Sequence, residues 1–179
     1  LKNYKEINLL CFGNSLTYGC LVNKGYTDFL NDKLPSHVHI INAGVPGDTV
    51  LDGINRINNI LLLNRPDITI IEFGVNDAFS LMPLNKFEDY YTSLIQRIPN
   101  IKILMIPHQL YDATDSKVVK PYYEKIKSLA ESFNLDIIDL SQIRLSEDQL
   151  LEDMLHPNEQ GYSVYCDKSY QILEKIIKF

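Results

Sequence analysis

Apolar residues gather in five short runs, over residues 7–13, 38–44, 68–74, 101–107 and 135–140. Each is of strand length and nearly continuous in Ile, Leu, Val or Phe. A strand with one wet face alternates apolar and polar side chains, so an unbroken run predicts a strand covered on both faces. Between the runs the period changes. Residues 49–63 space Val50, Ile54, Ile57 and Leu61 about one helical turn apart, with Asp48 or Thr49 placed to cap the start. Residues 87–98 and 118–133 repeat that spacing. Residues 159–177 set Tyr162, Tyr165, Cys166, Ser169, Ile172, Leu173 and Ile176 along one stripe.

Strands alternating with helices predict right-handed crossovers and an about five-stranded parallel sheet, the centre of a three-layer α/β/α sandwich. No internal repeat, low-complexity stretch or linker interrupts the pattern. The 179 residues therefore read as a single domain, 1–179, and 45% hydrophobic composition suffices for its core. In such sheets ligands bind beyond the carboxyl ends of the strands. That rule limits which side chains can meet.

The first run leads into Gly13-Asn14-Ser15-Leu16-Thr17 and the second ends in Asn42-Ala43-Gly44. The third leads into Gly74-Val75-Asn76-Asp77, and the fourth stops at Pro107-His108. After the fifth, and just before the last helix, comes Asp153-Met154-Leu155-His156-Pro157. A serine, a glycine amide, an asparagine side chain and an Asp/His pair thus share one rim. Acyl transfer needs such parts: a nucleophile, a base, a group that orients the base, and donors for the oxyanion.

These segments resemble, in order, the four blocks of the SGNH (GDSL-type) hydrolases. Gly13-Asn14-Ser15-Leu16 is similar to the nucleophile block, Gly44 to the glycine block, Gly74-Val75-Asn76-Asp77 to the GxND block, and Asp153-x-x-His156-Pro157 to the DxxHP block. The resemblance implies a flavodoxin-like fold and a carboxylic ester hydrolase working through an acyl-enzyme. It implies Ser15 as nucleophile, His156 as base and Asp153 as its orienter. It also implies an oxyanion hole made by the N–H groups of Ser15 and Gly44 and the side-chain amide of Asn76. The family's first block usually carries Asp before the serine. Here it is Asn14, similar in shape but without the charge.

Other residues compete for these roles. His108 also lies on the rim, as a pocket wall or a solvated loop residue, but it lacks an Asp at local spacing. His37 and His39 fall at the opposite rim. Asp48 reads as a helix cap and Asp77 as structural. Tyr18, Tyr111 and Phe79 are candidate pocket walls, with a core or surface role as the alternative for each, and the segments 18–24, 79–86 and 109–117 are the expected specificity loops. Their shortness predicts an open site for a small acyl group.

Charge and cysteine content narrow the classes further. Seventeen Lys and Arg against 23 Asp and Glu leave a formal net charge of −6, which argues against nucleic acid as a partner. A small-molecule ester remains the expected partner. No run reaches the roughly 18 apolar residues of a membrane span. Cys11, Cys20 and Cys166 match neither a zinc site nor a redox pair. They are expected to be reduced, favouring a cytoplasmic setting; a chain starting at Leu1 leaves room for a trimmed leader and for secretion. No metal or cofactor is implied, and the oligomeric state stays open.

A flavin carrier on the same fold would explain Ser15, Thr17 and Gly19 but would leave Asn76, Asp153 and His156 without a role. The α/β-hydrolase elbow, G-x-S-x-G, does not fit Gly13–Thr17. A catalytically weak or dead binding module is the alternative that Asn14 keeps open.

Overall fold

The computed structural model describes residues 5–177. Strands β1 (Ile7–Gly13), β2 (Val38–Gly44), β3 (Ile68–Glu72), β4 (Ile101–Ile106) and β5 (Asp136–Asp139) form one all-parallel sheet in the order β2-β1-β3-β4-β5. The chain starts in the interior of the sheet, moves to the β2 edge, then returns past β1 to β3. Connections therefore leave β1 and β3 in opposite directions, and a crevice opens between their carboxyl ends. Register sharpens the point: Gly13 pairs with Gly44 on one side and with Glu72 on the other.

Helices cover both faces, as the apolar runs demand. Helices α3 (Val50–Asn64), α5 (Leu84–Arg97) and α6 (Ala113–Ser132) pack on one side, while α2 (Tyr26–Lys33) and α7 (Glu159–Ile177) pack on the other. Successive side chains of a strand point to opposite faces. Leu10 and Phe12 accordingly join the first layer, and Leu9 and Cys11 join the second. Two short helices, α1 (Ser15–Tyr18) and α4 (Val75–Phe79), follow β1 and β3 directly.

Several elements depart from the sequence reading. β2 and β5 are edge strands and are not buried on both faces; His39 and Asn42 of β2 are exposed. Helix α6 begins at Ala113, five residues before the periodic stretch, because the Asp112 carboxylate accepts the N–H groups of Thr114 and Asp115. Helix α2 escaped notice since it buries only Tyr26, Thr27 and Leu30. Thr49, not Asp48, caps α3: its hydroxyl faces the Asp52 N–H, and the Asp52 carboxylate accepts the Thr49 N–H.

Candidate active site

Ser15 is the first residue of α1. Asn14 caps that helix, its Oδ1 accepting the Leu16 N–H at 2.9 Å. The strand therefore turns into a helix at the serine, and the hydroxyl is left at the rim. From 141 residues away, His156 sets Nε2 2.8 Å from Ser15 Oγ. Its Nδ1 lies 2.6 Å from Asp153 Oδ2.

Local chemistry holds the acid and the base together. Asp153 Oδ1 accepts the N–H groups of Leu155 and His156 at 3.0 and 2.9 Å, a turn closed by its own side chain. Met154 takes the left-handed conformation, φ 55°, that such a tight turn needs. The Leu151 N–H bonds to the His156 carbonyl, and Asn158 ties the start of α7 back to the Asp148 carbonyl. Partial burial pushes the Asp153 carboxyl up. The hydrogen bonds from His156 and Leu155 outweigh it and hold the group below the ordinary carboxylate range.

The glycine expected to complete the site is not there. The Gly44 N–H donates to Asn42 Oδ1 at 3.0 Å. A Cβ on Gly44 would lie 2.3 Å from the Tyr18 nitrogen and 2.8 Å from the Asn14 carbonyl oxygen. Gly44 thus lets β2 lie against the nucleophile helix. Gly47 lines the cavity instead, at φ +86° and with open space where a Cβ would be. Pro46-Gly47 is a turn signal that could have marked it.

Asn76, on α4, reaches the same loop, its Nδ2 donating to the Asp48 carbonyl at 2.9 Å. Arg56 of α3 braces the loop from below. Its guanidinium meets Asp48 Oδ2 at 2.7 Å, the Ala43 carbonyl at 2.8 Å and the Gly13 carbonyl at 2.9 Å. Asp77 is buried and accepts the Val50 N–H, anchoring the start of α3; burial pushes its pKa up to about 6.

Ser15, Asn76, Gly47 and His156 face a cavity of about 350 Å³. Leu16, Leu21, Pro46, Val75 and Leu155 make its walls mostly apolar, and Cys20 joins them. Tyr18, Tyr111 and Phe79 do not line it; Tyr18 and Phe79 are exposed at the surface, the other role open to them. His108 is fully buried rather than solvated: Nδ1 lies 2.7 Å from the Tyr165 hydroxyl, and burial, then the neighbouring His156, push its pKa down to about 4. A second cleft of about 200 Å³, beside Gln109, Tyr123 and Gln142, holds none of these groups. Among the described residues no cluster of three His, Cys, Asp or Glu side chains is placed to hold a metal ion, and no helix is long and apolar enough to cross a membrane. All three cysteines are free.

Residues 11–164 match the GDSL-like lipase/acylhydrolase family. The chain is 25% identical over 162 residues to an arylesterase of Vibrio mimicus, covering 86% of this chain and 81% of that one. It is 24% identical over 178 residues to thioesterase 1/protease 1/lysophospholipase L1 of Escherichia coli (strain K12), covering 94% and 84%. The crystal structure of a lipase/acylhydrolase from Enterococcus faecalis superposes with a TM-score of 0.81 at 26% identity, over 94% of this chain and 96% of that one.

Proposed function

Since the chain belongs to the GDSL-like lipase/acylhydrolase family, whose function is that of esterases and acylhydrolases, we propose that it is a serine esterase that cleaves small or medium acyl esters through an acyl-enzyme. The observation that carries this reading is the unbroken hydrogen-bonded chain Ser15–His156–Asp153 on the wall of an apolar cavity.

In this mechanism His156 Nε2 takes the Ser15 proton as Oγ attacks the acyl carbonyl. Asp153 keeps Nδ1 protonated and stabilises the imidazolium. The carbonyl oxygen becomes an oxyanion, and the N–H groups of Ser15 and Gly47 and the Asn76 amide are its donors. Asn76 spends one N–H on the Asp48 carbonyl and keeps the other for substrate. Collapse expels the alcohol or thiol, which receives the proton from His156. A water then repeats the sequence on the acyl-serine and releases the acid. Losing one oxyanion donor costs roughly 10²–10³ in turnover.

Apolar walls around a cavity of about 350 Å³ favour the acyl side of simple esters, thioesters, carbohydrate acetyl esters or short-chain lysophospholipids. The test is hydrolysis of p-nitrophenyl acetate, butyrate and octanoate by the wild type, Ser15→Ala and His156→Ala. Acetate and butyrate are expected to be preferred. Each variant is expected to lose about 10⁴–10⁶ in kcat, as concerted triads do. An inactive wild type, or an active Ser15→Ala, overturns the reading.

A further inference from the structure

Beneath Ser15 lies a carboxylate that this mechanism does not use. Glu72 ends β3, is fully buried, and sits opposite Gly13 in the sheet. Its Oε1 accepts Asn14 Nδ2 at 3.0 Å; its Oε2 accepts the Thr17 hydroxyl at 3.0 Å and, more distantly, the Asn14 N–H at 3.4 Å. Asn14 therefore has both ends of its amide engaged. The NH₂ is held by Glu72, and Oδ1 holds the first turn of the helix that begins at Ser15. The partners dictate that orientation, because a backbone N–H needs the oxygen and a carboxylate needs the donors. Gly13 leaves room for the knot: a Cβ there would lie 2.3 Å from Thr17 Oγ1 and 2.8 Å from Glu72 Oε2.

Around Glu72 stand Asp77 of α4, Tyr26 of α2, Tyr91 of α5, Tyr123 of α6, and Tyr162 and Tyr165 of α7. Among the described residues no ion pair offsets the charge. Arg56 spends its guanidinium on the Gly13 and Ala43 carbonyls and on Asp48. Burial pushes Glu72 up to about 8 against the pull of its three donors, so the group changes charge in the mildly alkaline range. The knot accommodates either state. A carboxylate accepts from Asn14 and Thr17. A carboxylic acid still accepts from Asn14 at Oε1, while its own O–H donates to the Thr17 hydroxyl, which can serve as donor or acceptor.

We propose that Glu72 is the positioning residue for Ser15, and that the Asn14 amide keeps the nucleophile seated whether Glu72 is charged or neutral. The inference rests on the proposed role of Ser15. A carboxylate at position 14 would instead meet Glu72 at about 3 Å. Two carboxyls that close share one proton, and the last proton leaves only at high pH, with repulsion that forces the seat apart.

The experiment compares wild type, Asn14→Asp, Glu72→Gln and the double variant Asn14→Asp/Glu72→Gln. It reads kcat and KM on p-nitrophenyl acetate from pH 6 to 9.5, each divided by the wild-type value at the same pH. Melting temperature is followed over the same range and needs no activity. Asn14→Asp is expected to stay within about 3-fold of wild type at pH 6 and to fall by a further 10-fold or more by pH 9.5, in kcat rather than KM, the scale expected when one unit of coupled ionisation displaces a catalytic group. Its melting temperature relative to wild type should fall over the same interval. The double variant remakes an amide–carboxylate pair with the partners exchanged, and should bring both ratios back to a flat profile. Glu72→Gln has the shape of the neutral acid but turns an NH₂ toward the Asn14 N–H, where the acid keeps a lone pair, so it should lower kcat modestly at every pH without adding a limb.

A flat Asn14→Asp profile, or a limb that survives in the double variant, overturns the proposal. A limb in melting temperature without one in kcat also overturns it, since the pair would then share a proton without positioning Ser15. If the wild type hydrolyses no ester, the proposed function fails separately, and the melting curves still report on the pair.

Discussion

Arg56 and Asp48 form an ion pair at 2.7 Å that fastens the Gly47 loop to the ends of two strands. The same guanidinium donates to the Gly13 and Ala43 carbonyls and lies 4.3 Å from the centre of the Phe12 ring. Its planar fork sends three separate nitrogens to three acceptors, whereas the three donors of an ammonium radiate from a single nitrogen that cannot sit at all three places.

Arg56→Lys is therefore expected to behave as a disruptive change. Turnover on p-nitrophenyl acetate should fall by about 10-fold with less effect on KM, since the loop carries a proposed oxyanion donor rather than a substrate anchor. Steady-state kinetics check this. An unchanged kcat would mean that the Asn76–Asp48 bond holds the loop by itself.

Asp153 has two separable duties. Oδ1 closes the turn, and Oδ2 meets His156 Nδ1. Asp153→Asn can keep the first through its carbonyl oxygen, but its NH₂ then faces Nδ1 and favours the wrong tautomer. The expected result is a loss of about 10⁴ in kcat with a melting temperature close to wild type. A large fall in melting temperature would mean that the carboxylate charge holds the turn.

Gly44 and Gly47 should respond to alanine to different degrees. Gly44→Ala drives a Cβ into the backbone of α1 and should lower stability by several kcal/mol, on the scale of severe overpacking, with loss of activity. Gly47→Ala meets no atom but forces a side chain to φ +86°, a cost of about 1–2 kcal/mol. Thermal unfolding of both variants tests the ranking. Equal losses would contradict the placement of Gly44 against Tyr18.

His108 makes a prediction for acid. Its folded-state pKa, about 4, lies below the 6.5 of an unperturbed histidine, since burial and His156 disfavour the charged ring. As pH falls, the unfolded chain takes up the proton first. This contribution to stability is present above about 6.5 and is lost as pH falls through about 4. His108→Asn lowers the baseline because Tyr165 loses a partner. The drop in melting temperature between pH 6.5 and 4 should nevertheless be shallower than in the wild type. An equal or steeper drop would show that other groups set acid stability.

Much of the fold was legible because its signals are local. β1 and β2 fall on their apolar runs, and the other three strands lie within a residue or two of theirs. Helix α7 follows its stripe, with Tyr162, Tyr165, Cys166, Ser169 and Leu173 buried. Helix α2 was missed because it is short and mostly wet on one side. The start of α6 was missed because one cap, Asp112, adds a turn ahead of the apolar pattern.

At the site the same boundary applies. The sequence by itself determined what depends on neighbours a few positions apart: strands that must be covered, helices that cover them, a turn that joins Asp153 to His156. Tertiary structure decided which glycine faces the cavity, how His156 reaches Ser15 from 141 residues away, and that Glu72 waits beneath Asn14. The aim of a backbone N–H is set by whatever else competes for it. Asn42 takes the Gly44 N–H, β3 brings Glu72 opposite Gly13, and burial of His108 against Tyr165 leaves the serine to His156. Those partners lie far apart along the chain and become neighbours only when the sheet closes.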